Sequence, residues 1–209
     1  MSKVLSYNSR TFTKLSYRSL PSQNQYGFSL IEVLVAIIIL SVGMLGAVGM
    51  QSAALQSNKE SKNQAAAVTF ARELGERMRG NHNVAIKTAP SDNPYLFDTS
   101  LTGTSSVATF SVNCFTTGCS VPKDAAAWDV ADWQGRVLAV LPTPRVKVCF
   151  DEAPYDSGGI ARWGCTDKGD VSVLKMGWTS SNTTGSLTFA ATNGTPPLVV
   201  LPMTAGSSQ

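Results

Sequence analysis

The stretch FSLIEVLVAIIILSVGMLGAVGM, Phe28–Met50, holds a single ionisable side chain, Glu32, and is apolar on every face of a helix. It exceeds the roughly 20 apolar residues that cross a bilayer as a helix. A buried helix of a soluble protein normally keeps a polar stripe, and this stretch has none. The apolar part of a secretory signal is about 7–15 residues long and ends in a small-residue cleavage site. The stretch is longer and continues as helix, so residues 28–53 read as a transmembrane helix. Before it, residues 1–27 carry Lys3, Arg10, Lys14 and Arg18 and no acid. The basic flank of a span stays in the cytoplasm, which sends the rest of the chain outward. Removing that flank takes Lys+Arg from 17 to 13 against 14 Asp+Glu, so the formal charge passes from +3 to −1. Such a balance does not favour nucleic acid, whose binding relies on many Lys and Arg contacts to phosphate.

Glu32 is the anomaly. A carboxylate within a bilayer costs about 3 kcal/mol on insertion scales and is usually paired. Its own span offers no cation, and a new amino terminus created nearby would supply one. The helix dipole favours an acid in a first turn, but that does not account for the basic segment ahead of it.

Beyond the membrane the helix continues. No proline occurs between Phe28 and Ala89, and Ala67, Phe70, Ala71, Leu74 and Met78 fall on one face. Arg72, Glu73, Glu76, Arg77 and Arg79 occupy the remainder, with Glu73–Arg77 a favourable i,i+4 pair. Gly80-Asn81 is a stop signal. A helix over 28–79 would be about 80 Å long, with residues 54–80 as an amphipathic extension. Gly43, Gly46 and Gly49 each weaken it by about 1 kcal/mol relative to Ala. They allow either close helix approach in the membrane or local melting, and the lack of proline favours the first.

After Gly80 the composition turns to Ser, Thr, Pro, Asn and Gly, and residues 81–209 read as a globular head. Ala108–Cys114 alternates like a strand. Pro122–Leu141 reads as a short helix with Ala126, Val130, Trp133, Val137 and Val140 on one face. Arg145–Phe150, Val171–Trp178 and Leu198–Leu201 read as strands, with Leu187–Ala190 a weaker one. The fold class is therefore α+β: a long N-terminal helix carrying a small antiparallel sheet. Cys114, Cys119, Cys149 and Cys165 would lie in an oxidising compartment, where disulfides form. Three pairings are possible. Cys114–Cys119 and Cys149–Cys165 are preferred because each closes a local loop. A zinc site is the alternative, but the C-x2-C spacing is missing.

Gly27-Phe28-Ser-Leu-Ile-Glu32 at the head of an apolar span resembles the prepilin cleavage and methylation motif. The resemblance implies that a prepilin peptidase cuts between Gly27 and Phe28 and methylates the new amine. It also implies that Glu32 pairs with the amine of a neighbouring subunit during assembly. The 27-residue leader departs from the family pattern in being long. The head narrows the resemblance. Asn113-Cys114-Phe-Thr-Thr-Gly-Cys119-Ser120, then Asp129 and Trp133, and later the strand ending at Trp178, are similar to the minor pilins called type IV pilus modification protein PilV. That family implies partners among other minor pilins and the major pilin, priming of pilus assembly, and support of a tip adhesin. It places the protein in the inner membrane with a periplasmic head, and then in the pilus, at its tip.

Chemistry for other functions is sparse. His82, the lone histidine, falls at the end of the long helix, where the dipole favours a cation. There is no G-x-S-x-G and no P-loop. No enzyme, cofactor or metal is expected. Asp151, Asp156, Asp167 and Asp170 offer oxygens suited to calcium, though a solvated acidic loop is the simpler reading. Trp133 and Trp178 fall on periodic faces and read as core, while Trp163, between Arg162 and Gly164, reads as exposed. Two other functions stay open. One is a minor pseudopilin of a type II secretion system, which shares the N-terminus. The other is a ligand- or DNA-binding pilin, for which Arg145, Lys147, Arg162, Lys168 and Lys175 are the candidate basic patch.

Overall fold

The computed structural model describes residues 27–100, 113–181, 187–188 and 195–205. Helix α1 covers Leu30–Gly80, 51 residues, beginning two residues after the expected start. The Ser29 carbonyl accepts the first backbone bonds, from Glu32 at 3.0 Å and Val33 at 3.4 Å. At the far end Asn81 N–H bonds back to the Arg77 and Met78 carbonyls. The chain then makes a second, one-turn helix, α2 (His82–Ala85), that sequence patterning did not reveal.

The described residues form two compact units divided between Gly46 and Ala47. In the first, the helical residues from Leu30 onward are exposed throughout, and all but Glu32 and Ser41 are apolar or glycine. α1 is the one helix among the described residues that is long and apolar enough to cross a membrane.

In the second unit four strands form an antiparallel sheet in the order β1-β2-β3-β6: β1 (Phe97–Ser100), β2 (Arg145–Phe150), β3 (Ser172–Gly177) and β6 (Val199–Met203). A separate two-stranded pair joins β4 (Ser180–Ser181) to β5 (Leu187–Thr188). Side chains alternate between the faces of a sheet, and register decides which residues share one. Val146 lies opposite Met176, Val148 opposite Leu174, and Met176 opposite Val199. These residues join Ala67, Ala71, Leu74 and Met78 of α1 and Ala126, Val130, Trp133 and Val137 of helix α4 (Pro122–Val140) in one core. The interval of three or four residues on each helix aims one stripe at the sheet. Val140, expected on that stripe, is half exposed because the helix ends there, before Pro142. Trp133 is fully buried, with the rings of Phe70 and Phe97 edge-on at 6.2 and 6.3 Å. Its Nε1 donates to the Phe70 carbonyl at 2.9 Å, so its polar atom is satisfied within the core.

Two strand assignments differ from the sequence reading. Of the strand expected at Ala108–Cys114, residues 108–112 lie outside the described residues. Cys114 itself opens a one-turn helix, α3 (Cys114–Thr117), because the Asn113 side chain accepts from the Phe115 N–H at 3.0 Å and caps it. β1 was not legible, since Phe-Asp-Thr-Ser has weak strand preference. It exists because β2 offers it an edge, from Phe97↔Val148 to Ser100↔Arg145.

Candidate functional site

Gly27, Phe28 and Ser29 precede the helix, and Phe28 is 84% exposed. Glu32 lies in the first turn of α1 and is exposed. A peptide bond at Gly27-Phe28 is therefore in non-helical backbone, which a protease must have in order to extend its substrate. The acid four residues on points from a helix end whose free N–H groups favour negative charge.

Where α1 meets α4, five charged side chains form a connected network. Arg77 binds Glu73 at 3.1 Å, Asp129 at 3.0 Å and Asp132 at 2.9 Å. Arg136 reaches across from α4 to both carboxylate oxygens of Glu73 and binds Asp132 at 3.2 Å. The Tyr95 hydroxyl donates to Asp129 at 3.2 Å. Hydrogen bonding from Arg136 holds Glu73 below the usual carboxylate range. Burial pushes Asp129 up despite Arg77, and pushes the Tyr95 hydroxyl up as well. The spacing of Glu73 and Arg77, and of Asp129, Asp132 and Arg136, placed each set on one helix face. That they face each other across two helices needed the fold.

The opposite face of the sheet is covered by loop. Cys149 and Lys175 occupy strand positions of the other parity, and Cys149 is bonded to Cys165 across a sequence separation of 16. The Lys175 and Asp151 side chains are completely buried and paired at 2.5 Å. Lys175 also donates to the Gly164 carbonyl at 2.6 Å. Asp151 accepts from the Ala153 and Thr166 N–H groups through its other oxygen. Burial alone would raise the Asp151 carboxyl, but Lys175 and these N–H groups hold it below its ordinary value. A second disulfide, Cys114–Cys119, closes α3 with Cα atoms 4.9 Å apart, and Gly118 takes a positive φ of 70° to allow it. Phe115 on this turn is 87% exposed.

With this geometry in hand, two family matches are decisive. The family described as Prokaryotic N-terminal methylation motif matches residues 22–48, and Type IV pilin Tt1218 matches residues 49–131. The two are contiguous and together take in more than half of the 209 residues. The chain is a type IV pilin. No curated protein and no solved structure matches it.

The pilin is a structural, non-enzymatic protein, processed at its methylation motif by prepilin peptidase and assembled with other pilins. Several side chains singled out in the sequence have other work in it. Trp163, expected to be exposed, is buried. Its Nε1 donates to the Thr195 carbonyl at 2.7 Å and the Arg145 guanidinium stacks on its ring at 4.4 Å. Lys175, a candidate for a basic surface, is inside the head. Arg145 and Lys147 share Asp98, at 3.2 and 3.3 Å, so their charge is partly cancelled. Of the candidate patch, Arg162 and Lys168 remain exposed and unpaired with a carboxylate among the described residues.

The acidic residues are likewise occupied. Asp156 folds its own turn, accepting from the N–H groups of Gly158 and Ile160. Cys149, Asp151 and Cys165 bring ligand atoms within 4.8 Å of one another. Their sulfurs share a disulfide and the carboxylate holds Lys175, so the set offers a metal no thiolate. His82 Nδ1 lies 2.7 Å from the Ala205 carbonyl, and Arg79 binds Thr204. The end of α1 and the start of α2 thus tie down the residues that follow β6.

Proposed function

We propose that this pilin is a minor pilin of the PilV kind, cut between Gly27 and Phe28 and methylated on Phe28. Residues 1–27 form the cytoplasmic leader, 28–53 the transmembrane helix, 54–80 its extension and 81–209 the periplasmic head. After processing, Glu32 pairs with the Phe28 amine of a neighbouring subunit. The pilin joins other minor pilins, primes assembly with the major pilin, and supports an adhesin at the tip. The observation that carries this reading is a lone carboxylate in the first turn of α1, four residues after Phe28, within a largely exposed stretch that has no other ionisable side chain up to residue 58. An unpaired charge in a membrane is costly, and a neighbour's amine removes that cost as the filament forms. The short Cys114–Cys119 turn, with Asp129 and Trp133 following it, supports the PilV assignment within the pilins.

Mass spectrometry of the mature N-terminus tests processing; we expect N-methyl-Phe28, and any other first residue refutes the assignment. Deletion of the gene tests the role. Few or no pili with protein secretion intact is the expected result. Intact pili with a loss of type II secretion would instead make it a pseudopilin.

A further inference from the structure

We infer that Lys59 and Lys62 form a binding site for the phosphate of an anionic phospholipid at the outer surface of the membrane that α1 crosses. This rests on the reading of residues 28–53 as the span. Residues 33–58 carry no ionisable side chain. At the helical rise they extend about 39 Å, against about 30 Å for the hydrocarbon core and about 40–45 Å with both headgroup layers. With residues 28–53 as the span and Glu32 inside it, Lys59 is the first charge beyond, about 9 Å along the helix from residue 53, and falls at the far headgroup layer. A lysine stem lies along apolar surface while its ammonium reaches the headgroup.

The neighbouring side chains turn this position into a site. Lys59 and Lys62 are about 60° apart around the helix, and both are exposed. With Leu55, Asn58, Ser61 and Ala65 they line one groove. No carboxylate pairs with either lysine among the described residues. The intervening acid, Glu60, is about 100° away from Lys59. Its Oε1 accepts from Trp178 Nε1 at 3.1 Å. The head therefore holds the local negative charge on its own side and leaves two ammonium groups, an amide and a leucine on the open one. That combination suits a phosphodiester above an acyl chain.

The processed full chain, reconstituted in vesicles with and without phosphatidylglycerol, provides the test. Flotation and protease protection report insertion, and native mass spectrometry of the released chain reports retained lipid. The wild-type chain is expected to retain phosphatidylglycerol over phosphatidylcholine. The Lys59→Gln/Lys62→Gln variant should insert equally well and lose about tenfold of that preference, whereas Lys87→Gln in the head should not change it. Equal preference in wild type and double variant overturns the lipid site while the span stands. Failure to insert in any vesicle overturns the span reading and the site with it. Unchanged lipid retention with lost piliation in the double variant also overturns the site, and assigns the lysines to a carboxylate on a neighbouring subunit.

Discussion

The most consequential single contact in the head is Lys175–Asp151. Both side chains are fully removed from solvent, and two buried charges survive only because each satisfies the other and the backbone completes the shell. Removing one partner strands the other, so Lys175→Ala is expected to destabilise the protein by about 3–5 kcal/mol. Lys175→Met combined with Asp151→Asn should recover part of that loss, since no charge is left buried. Urea denaturation of the detergent-solubilised chain measures both, and a double variant no better than Lys175→Ala would show that the pair is not what holds this loop. The carboxylates also set the response to acid. Glu73, Asp98 and Asp151 all have folded pKa values below their unfolded ones. Their contribution is present above the unfolded carboxylate value, near 4, and is lost as pH falls through the lower folded values. Asp129 is shifted the other way, so its contribution improves as it is protonated. With three groups against one, stability should fall below about pH 4. Asp129→Asn should steepen that fall, because it removes the opposing group; equilibrium unfolding across pH checks the sign.

At the scale of elements, the head depends on how α1, α4 and the loop after β2 are tied together. Leu74 is fully buried at the centre of the α1 stripe, and Leu74→Ala should cost about 2–5 kcal/mol. The ion network between α1 and α4 is partly solvated, its side chains 23–40% exposed, so Glu73→Gln should cost only about 1 kcal/mol. An equal loss for the two variants in thermal unfolding would mean that the network, and not packing, joins the helices. The disulfides differ in the same way. Their sequence separations of 16 and 5 give about 3 kcal/mol for Cys149–Cys165 and about 1 kcal/mol less for Cys114–Cys119 on the chain-entropy argument. Cys149 also leaves a buried strand position when replaced, whereas α3 is at the surface. Cys149→Ser should therefore lower stability more than Cys119→Ser, and the reverse order would place the structural weight of the head on the α3 turn.

For the molecule as a whole, membrane residence and assembly make different demands on one residue. Glu32→Ala removes the lone charge from the apolar stretch, so insertion should be as good as in the wild type or better. Cleavage should persist, because Gly27 and Phe28 are untouched. What disappears is the proposed partner for a neighbour's amine, and piliation should fall sharply. Immunoblotting for the processed form alongside counts of surface pili separates the two. Normal piliation in the Glu32→Ala strain would remove the pairing from the assembly step.

The sequence alone determined the elements that have a sustained period, though not the one-turn helices α2 and α3. A run of residues apolar on every face can only be a helix outside water, and the motif Gly27-Phe28 with Glu32 reads directly from spacing. The Ala67–Met78 stripe, the Pro122 helix and the β2 and β3 strands were legible because each has a period of its own. What only the tertiary structure decided concerns partners distant in the chain. β1 is a strand because β2 pairs with it, not because Phe97–Ser100 prefers to be one. Trp163, between Arg162 and Gly164, and Lys175, a charged side chain, look like surface residues. They are buried because a loop bonded at Cys149 and Cys165 folds over the second face of the sheet: its Asp151 supplies a carboxylate to the ammonium, while Thr195, ahead of β6, supplies a carbonyl to the indole. Local sequence carries the cost of burying a polar group but not the identity of the distant group that offsets it.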